Sequence, residues 1–132
     1  LHLAELPPVE AIRRLVEFTF DHHDRNVDFV RIVSIENIHN AEYVKRSDAI
    51  KAMNNTILDS LGEILRRGAE QGLFRTGLDP LDVHLLISSF CFYRVSNRHT
   101  FGEIFQIDLP DESIKQRHRE MICESVLRYL QA

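Results

Sequence analysis

A chain of 132 residues with 44% apolar and 27% charged side chains has the length and balance of one globular domain, residues 1–132, with a core that needs no staples. Its net charge of −4, with both signs mixed along the chain, argues against phosphate-backbone binding by this piece, which would need a basic surface. Cys91 and Cys123 have no metal-type spacing and read as reduced core thiols of a cytoplasmic protein; no apolar run approaches the ~20 residues of a membrane span, and no signal peptide is visible.

Leu1 to Leu6 is short and apolar, as the end of an upstream element would be, and a first residue other than Met fits a fragment or a processed product. Pro7-Pro8 starts a first helix that runs to about Asp24, with Val9, Ile12, Leu15, Val16 and Phe18 on one arc. Asn26 is placed to cap a second helix, Val27 to Asn37, which is apolar almost all round. A strand over Phe29 to Ile35 is the alternative, but no partner strand exists elsewhere. After a connection over His39 to Lys45, Ser47-Asp48 caps a third helix of about 35–39 Å that Gly72 stops. Ile50, Met53, Ile57, Leu61, Ile64 and Leu65 make its stripe. Asp79-Pro80 opens a fourth helix, and Pro110-Asp111 opens the last, about Asp111 to Leu130. His99 to Leu109 reads as a loop with one turn near Phe101 to Phe105. The expectation is all-α: five main helices and no sheet.

The fourth helix carries no acid or base between Asp82 and Arg94. On a wheel of about 100° per residue, Val83, Leu86, Ile87, Phe90 and Tyr93 share one side. Leu81, Leu85, Phe92 and Val95 share nearly the opposite one. In the last helix Met121, Ile122, Cys123, Val126, Leu127, Tyr129 and Leu130 spread over roughly 240°. Two adjacent helices with surplus apolar faces predict an intersubunit four-helix bundle in a homodimer. Its contact residues would be Leu81, Leu85, Ser88, Phe92 and Val95, with Met121, Ile122, Ser125 and Tyr129. The alternative is that the first three helices of the same chain cover those faces.

Candidate chemistry is sparse. His22-His23-Asp24 with Glu36 and His39 suggests a metal site, but adjacent histidines on a helix point about 100° apart and match no zinc spacing, so none is assigned. Glu36 projects from an apolar arc and must find a partner or shift its pKa upward: either a hydrogen bond to a neighbouring helix end or a ligand contact. Asn54 carries the same two readings. Arg94 is read as a structural ion pair, with Glu36 or Asp108, or else as the partner of an anionic effector. Ser88 and Ser89 lack an adjacent base and a glycine elbow, and no phosphate-cradling loop is present.

Arg66-Arg67-Gly68-Ala69-Glu70-Gln71-Gly72-Leu73-Phe74-Arg75, then Leu78-Asp79-Pro80 and the apolar helix, resembles the C-terminal sensor domain of TetR-family transcriptional regulators. Phe92 to Phe101 before the proline-acidic opening of the last helix, and Pro8-Val9-Glu10, are also similar. The resemblance implies a bacterial, cytoplasmic, dimeric, all-helical regulator without cofactor or catalysis. DNA would be bound only through an N-terminal helix-turn-helix domain that this chain lacks. It also implies a pocket for a small apolar or amphipathic effector. Its candidate residues are Phe18, His22, Phe29, Val33 and Glu36, with Asn54, Leu58, Leu61, Phe90 and Arg94. A helical assembly module without a ligand, and a small enzyme using Glu36 and His22 as acid and base, are the competing readings.

Overall fold

The structure is a computed structural model that describes the backbone of residues 1–132 and every side chain except those of Met53 and Asn54. Asn54 as a ligand contact therefore lies outside the described residues. Six helices follow one another: α1 (Pro8–Arg25), α2 (Val27–Ile38), α3 (Asp48–Glu70), α4 (Pro80–Ser96), α5 (Arg98–Phe105) and α6 (Glu112–Leu130). Short 3-10 turns cover Leu3–Glu5 and Val44–Arg46. Among the described residues there is no strand, only one isolated bridge between Phe74 and Gln131.

Five helices occupy the expected places. The sixth, α5, replaces much of the expected loop. It is held by aromatic contacts: Phe101 meets Tyr93 edge-on at 6.3 Å and packs on Phe105 at 4.7 Å. The acceptors that open α3, α4 and α6 act as their side chains suggest. Ser47 accepts from the Ile50 amide at 3.2 Å, Asp79 from Leu81 at 2.8 Å, and Asp111 from Ile114 at 3.2 Å. Asn26 behaves differently. It makes no side-chain cap for α2; its Nδ2 donates instead to the His22 carbonyl, closing α1.

The core runs through α1, α3, α4 and α6. From α1 come Ala11, Ile12, Val16 and Phe20; from α3, Leu61, Ile64 and Leu65; from α6, Ile122, Cys123, Val126 and Leu130. The α4 stripe advances in four-residue steps: Val83, Ile87, Cys91, Val95. That stripe runs through a seam between the two faces drawn on the wheel. Val95, assigned outward, is only 5% exposed, whereas Tyr93, assigned inward, is 50% exposed. Ile122, offered for the dimer contact, is likewise covered by its own chain. Burial pushes the Cys91 thiol up to about 12 and Cys123 to about 11, so both stay protonated and unreactive.

Helix α2 is the larger surprise. Only Val30 is buried; Phe29, Ile32, Ile35 and Ile38 are exposed. The helix rests on α4 and α1 along a narrow strip, and its apolar girth is not consumed by the core.

The turn after α3 depends on two glycines. Gly72 has φ +73°, where only glycine is unstrained, and the Leu73 amide returns to the Gly68 carbonyl at 2.9 Å. A Cβ on Gly68 would collide with the buried Phe74 ring. The same turn anchors the end of α6, with Arg75 N to Leu130 O at 2.8 Å and Ala132 N to Leu73 O at 3.1 Å. Gly68→Ala is expected to cost about 1–3 kcal/mol of unfolding free energy by overpacking, read from urea denaturation. An unchanged midpoint would contradict this packing.

Candidate functional site

Helix α1 is amphipathic, and its two flanks do different work. One flank carries Glu17, Asp21 and Asp24 toward α6. Arg119 grips Glu17 at 2.7 Å and Asp21 at 2.9 Å, and Lys115 reaches Asp24 at 3.0 Å. Arg13 meets Glu120 at 3.0 Å. The Arg119 and Lys115 pairs are about a quarter exposed, so they hold the two helices in register more firmly than rim pairs do.

The other flank, at three- and four-residue spacing, is Leu15, Phe18, Thr19, His22 and His23. It walls a cavity of about 860 Å³. Helix α3 supplies the facing wall with Thr56, Ile57, Ser60, Leu61, Ile64 and Arg67. Helix α4 adds His84, Ile87 and Ser88, and Leu1 to Ala4 closes one end. The volume falls within the range of small-molecule sites, and the surface it presents is mostly carbon, although about half of the residues that line it are polar. Phe18 and His22 stack at 5.8 Å, and Phe29 meets His22 edge-on at 6.1 Å.

Of the residues singled out from sequence, Phe18, His22 and Leu61 line this cavity. Phe29 stands beside it through His22 but is not in its wall; neither are Val33 and Leu58. Glu36 takes the structural role: its Oε2 accepts from the amides of Tyr43 at 3.2 Å and Val44 at 3.3 Å, closing the turn after α2. Phe90 and Arg94 lie on the α6 side of α4, away from the cavity. Phe90 meets His118 edge-on at 6.3 Å.

Arg94 makes no ion pair among the described residues, against expectation. Its Nε donates to His118 Nδ1 at 2.9 Å, its Nη2 donates to the Leu109 carbonyl, and its guanidinium lies 5.0 Å over the Phe20 ring. Burial dictates this choice, because the core around Phe20 offers acceptors without a second charge. His118 must stay neutral to accept, and burial together with Arg94 and Arg117 lowers its pKa below the usual 6.5.

The proposed dimer residues also divide. Ser88 lines the cavity, Phe92 faces α1 through His23 at 5.9 Å, and Val95 is core. Leu81 and Leu85 are exposed, but on the flank of α4 that leads away from α6. Met121, Ser125 and Tyr129 are exposed on α6. The α4 residues that continue their surface are Leu86, Ser89 and Tyr93.

Sequence reasoning missed Thr19, His23, Arg67 and His84, and read Ser88 for another role. Their signal was present: Thr19 and His23, and His84 and Ser88, are pairs four residues apart. Nothing in the sequence says that α1 and α4 turn those pairs toward the same void.

A sequence model of the family described as "Tetracyclin repressor-like, C-terminal domain" matches residues 8–126. The chain belongs to the TetR family. A curated relative is the HTH-type transcriptional repressor NicS of Pseudomonas putida, 32% identical over 130 residues, 98% of this chain and 61% of NicS. The TetR-family chain thus spans about three fifths of that repressor's length. It is a TetR-type C-terminal domain built of helices, and among the described residues no helix is long and apolar enough to cross a membrane.

The His118 arrangement sets a pH dependence. A histidine held neutral in the fold binds fewer protons than it does unfolded, so its contribution is complete above the ordinary value of 6.5 and is lost as pH falls through it. Unfolding free energy in urea is expected to fall between about pH 7.5 and 5.5, and His118→Asn, whose amide oxygen still accepts from Arg94, is expected to flatten that slope. An identical slope in the variant would contradict the assignment.

Proposed function

We propose that this chain is the ligand-sensing and dimerisation domain of a cytoplasmic TetR-type repressor. In the full-length protein, a small apolar or amphipathic molecule in the cavity shifts the helices and releases the operator from a DNA-binding domain outside this chain. The observation that carries the reading is the cavity of about 860 Å³ between α1, α3 and α4. An assembly module with no ligand has no use for so large an uncovered concave surface between three helices. The relative NicS is named a transcriptional repressor, and that direction of control is carried over here as part of the proposal.

The mechanism follows from α1 having two flanks. Phe18, Thr19 and His22 meet the ligand, while Glu17, Asp21 and Asp24 are tied to α6. A ligand that fits one tilt of α1 better than another shifts the population toward that tilt, by no more than its differential affinity for the two. Because α1 and α6 are ion-paired along their length, the tilt reaches α6.

Helix α6 and the neighbouring flank of α4 form the dimer bundle in this reading. Leu86, Ser89 and Tyr93 from α4 join Met121, Ser125 and Tyr129 from α6, and the same residues of a second copy cover them about a two-fold axis. This retains the α6 half of the interface expected from sequence and moves the α4 half to the next flank.

Light scattering at about 10 μM is expected to give twice the chain mass of 15.4 kDa, and Tyr93→Glu with Met121→Glu to give the single-chain mass. An unaltered chain that runs as one copy would contradict the dimer. A neutral apolar dye, N-phenyl-1-naphthylamine, is expected to bind the chain with enhanced fluorescence, and Leu61→Trp, which fills the cavity, to weaken it about tenfold or more. Equal binding by both proteins would remove the cavity from the account.

A further inference from the structure

The polar part of the cavity wall is rich in histidine. His22 and His23 enter from α1, His84 from α4, Arg67 from α3 and His2 from the N-terminal turn. Two carboxylates, Asp59 and Glu63, also reach the wall; both residues are exposed, and Glu63 is held by Arg66. Arg67 has no carboxylate partner among the described residues. It donates to the carbonyls of Leu6 at 2.9 Å and Leu3 at 3.3 Å, and its buried Nε has no acceptor.

His23 is arranged to stay neutral. His23 Nδ1 lies 2.8 Å from the Thr19 carbonyl. A carbonyl oxygen only accepts, so Nδ1 carries the proton and Nε2 of the neutral ring holds a lone pair. Burial, with His22 and His84 close by, keeps the His23 pKa below its usual 6.5. His84 Nε2 lies 3.4 Å from the Ser88 hydroxyl one turn along α4, and His84 is close enough to His23 for the charge of one to oppose that of the other. Each cation formed there opposes the next. An anion among the rings removes that opposition.

We propose that the ligand is an apolar acid: its carboxylate lodges among His23, His84 and Ser88, and its body lies against Leu15, Phe18, Leu61 and Ile87. This rests on the cavity being the effector site and adds the class of molecule. Binding takes up a proton onto the histidine cluster, so affinity for the ionised acid rises as pH falls through the histidine range. A neutral ligand that donated a hydrogen bond to His23 Nε2 would show the opposite trend, because protonation removes that lone pair. The pH dependence therefore separates the two chemistries.

The test is calorimetric titration of the full chain with 2-naphthoate and with its neutral amide, 2-naphthamide, at about pH 8, 7 and 6, where the acid is ionised throughout. Naphthoate is expected to bind at least about tenfold tighter than the amide at pH 7, and to tighten by up to about tenfold per pH unit on acidification with net proton uptake. His23→Gln with His84→Gln, checked as folded by its melting temperature, is expected to bring the ratio of the two affinities toward one and flatten the pH dependence. Equal affinity for acid and amide, or an acid affinity that is flat or falls on acidification, overturns the proposal while leaving the cavity as a binding site. Failure of both probes to bind, or binding that Leu61→Trp does not weaken, overturns the cavity reading and this proposal with it.

Discussion

Helix α1 must satisfy three neighbours at once, and the rest of the molecule follows from how it does so. Its buried stripe of Ala11, Ile12, Val16 and Phe20 packs into the common core. Its acidic flank is gripped by Arg119 and Lys115 of α6. Its third flank, with Leu15, Phe18, Thr19 and His22, is left facing a void. A helix fixed on two sides and open on the third is a natural reporter, since anything entering the void pushes on a rod already coupled to α6.

The buried Arg94 makes the same point about constraint on the far side of α4. A guanidinium deep against Phe20 could have demanded a carboxylate, and a buried pair would have carried a large desolvation cost. The fold instead gives it a neutral histidine and a carbonyl. This joins α4, α6 and the loop before α6 through one side chain, and it makes that junction sensitive to protonation of His118. The α4–α6 pair therefore has its own internal lock before any second copy is considered.

Much of the fold was legible in the sequence because helix ends leave strong marks. Ser47, Asp79-Pro80 and Asp111 cap where they stand, and Gly72 stops α3. Faces were harder to read than ends. On α4 nearly every position is apolar, so the wheel carried little contrast and the buried stripe through Cys91 and Val95 fell in its seam. On α2 the apolar girth offered no contrast at all, and Phe29, Ile32, Ile35 and Ile38 remain exposed. The site was only partly legible for a related reason. Phe18, His22 and Leu61 sit on the flanks the wheel favoured, but Arg67, His84 and Ser88 reach the cavity through the crossing of α3 and α4, a tertiary fact with no local signature. Glu36 and Arg94, the two charged groups that drew most attention, found backbone and histidine partners instead.

The central claim is that occupancy of the cavity is felt at α6 through α1. Hydrogen–deuterium exchange on the full chain, with and without a saturating naphthalene probe, tests it most directly. The account predicts changed protection along both cavity-lining α1 (residues 15–23) and the ion-paired stretch of α6 (residues 115–120). Protection confined to the exposed face of α2, or to the cavity wall with α6 unmoved, would contradict it.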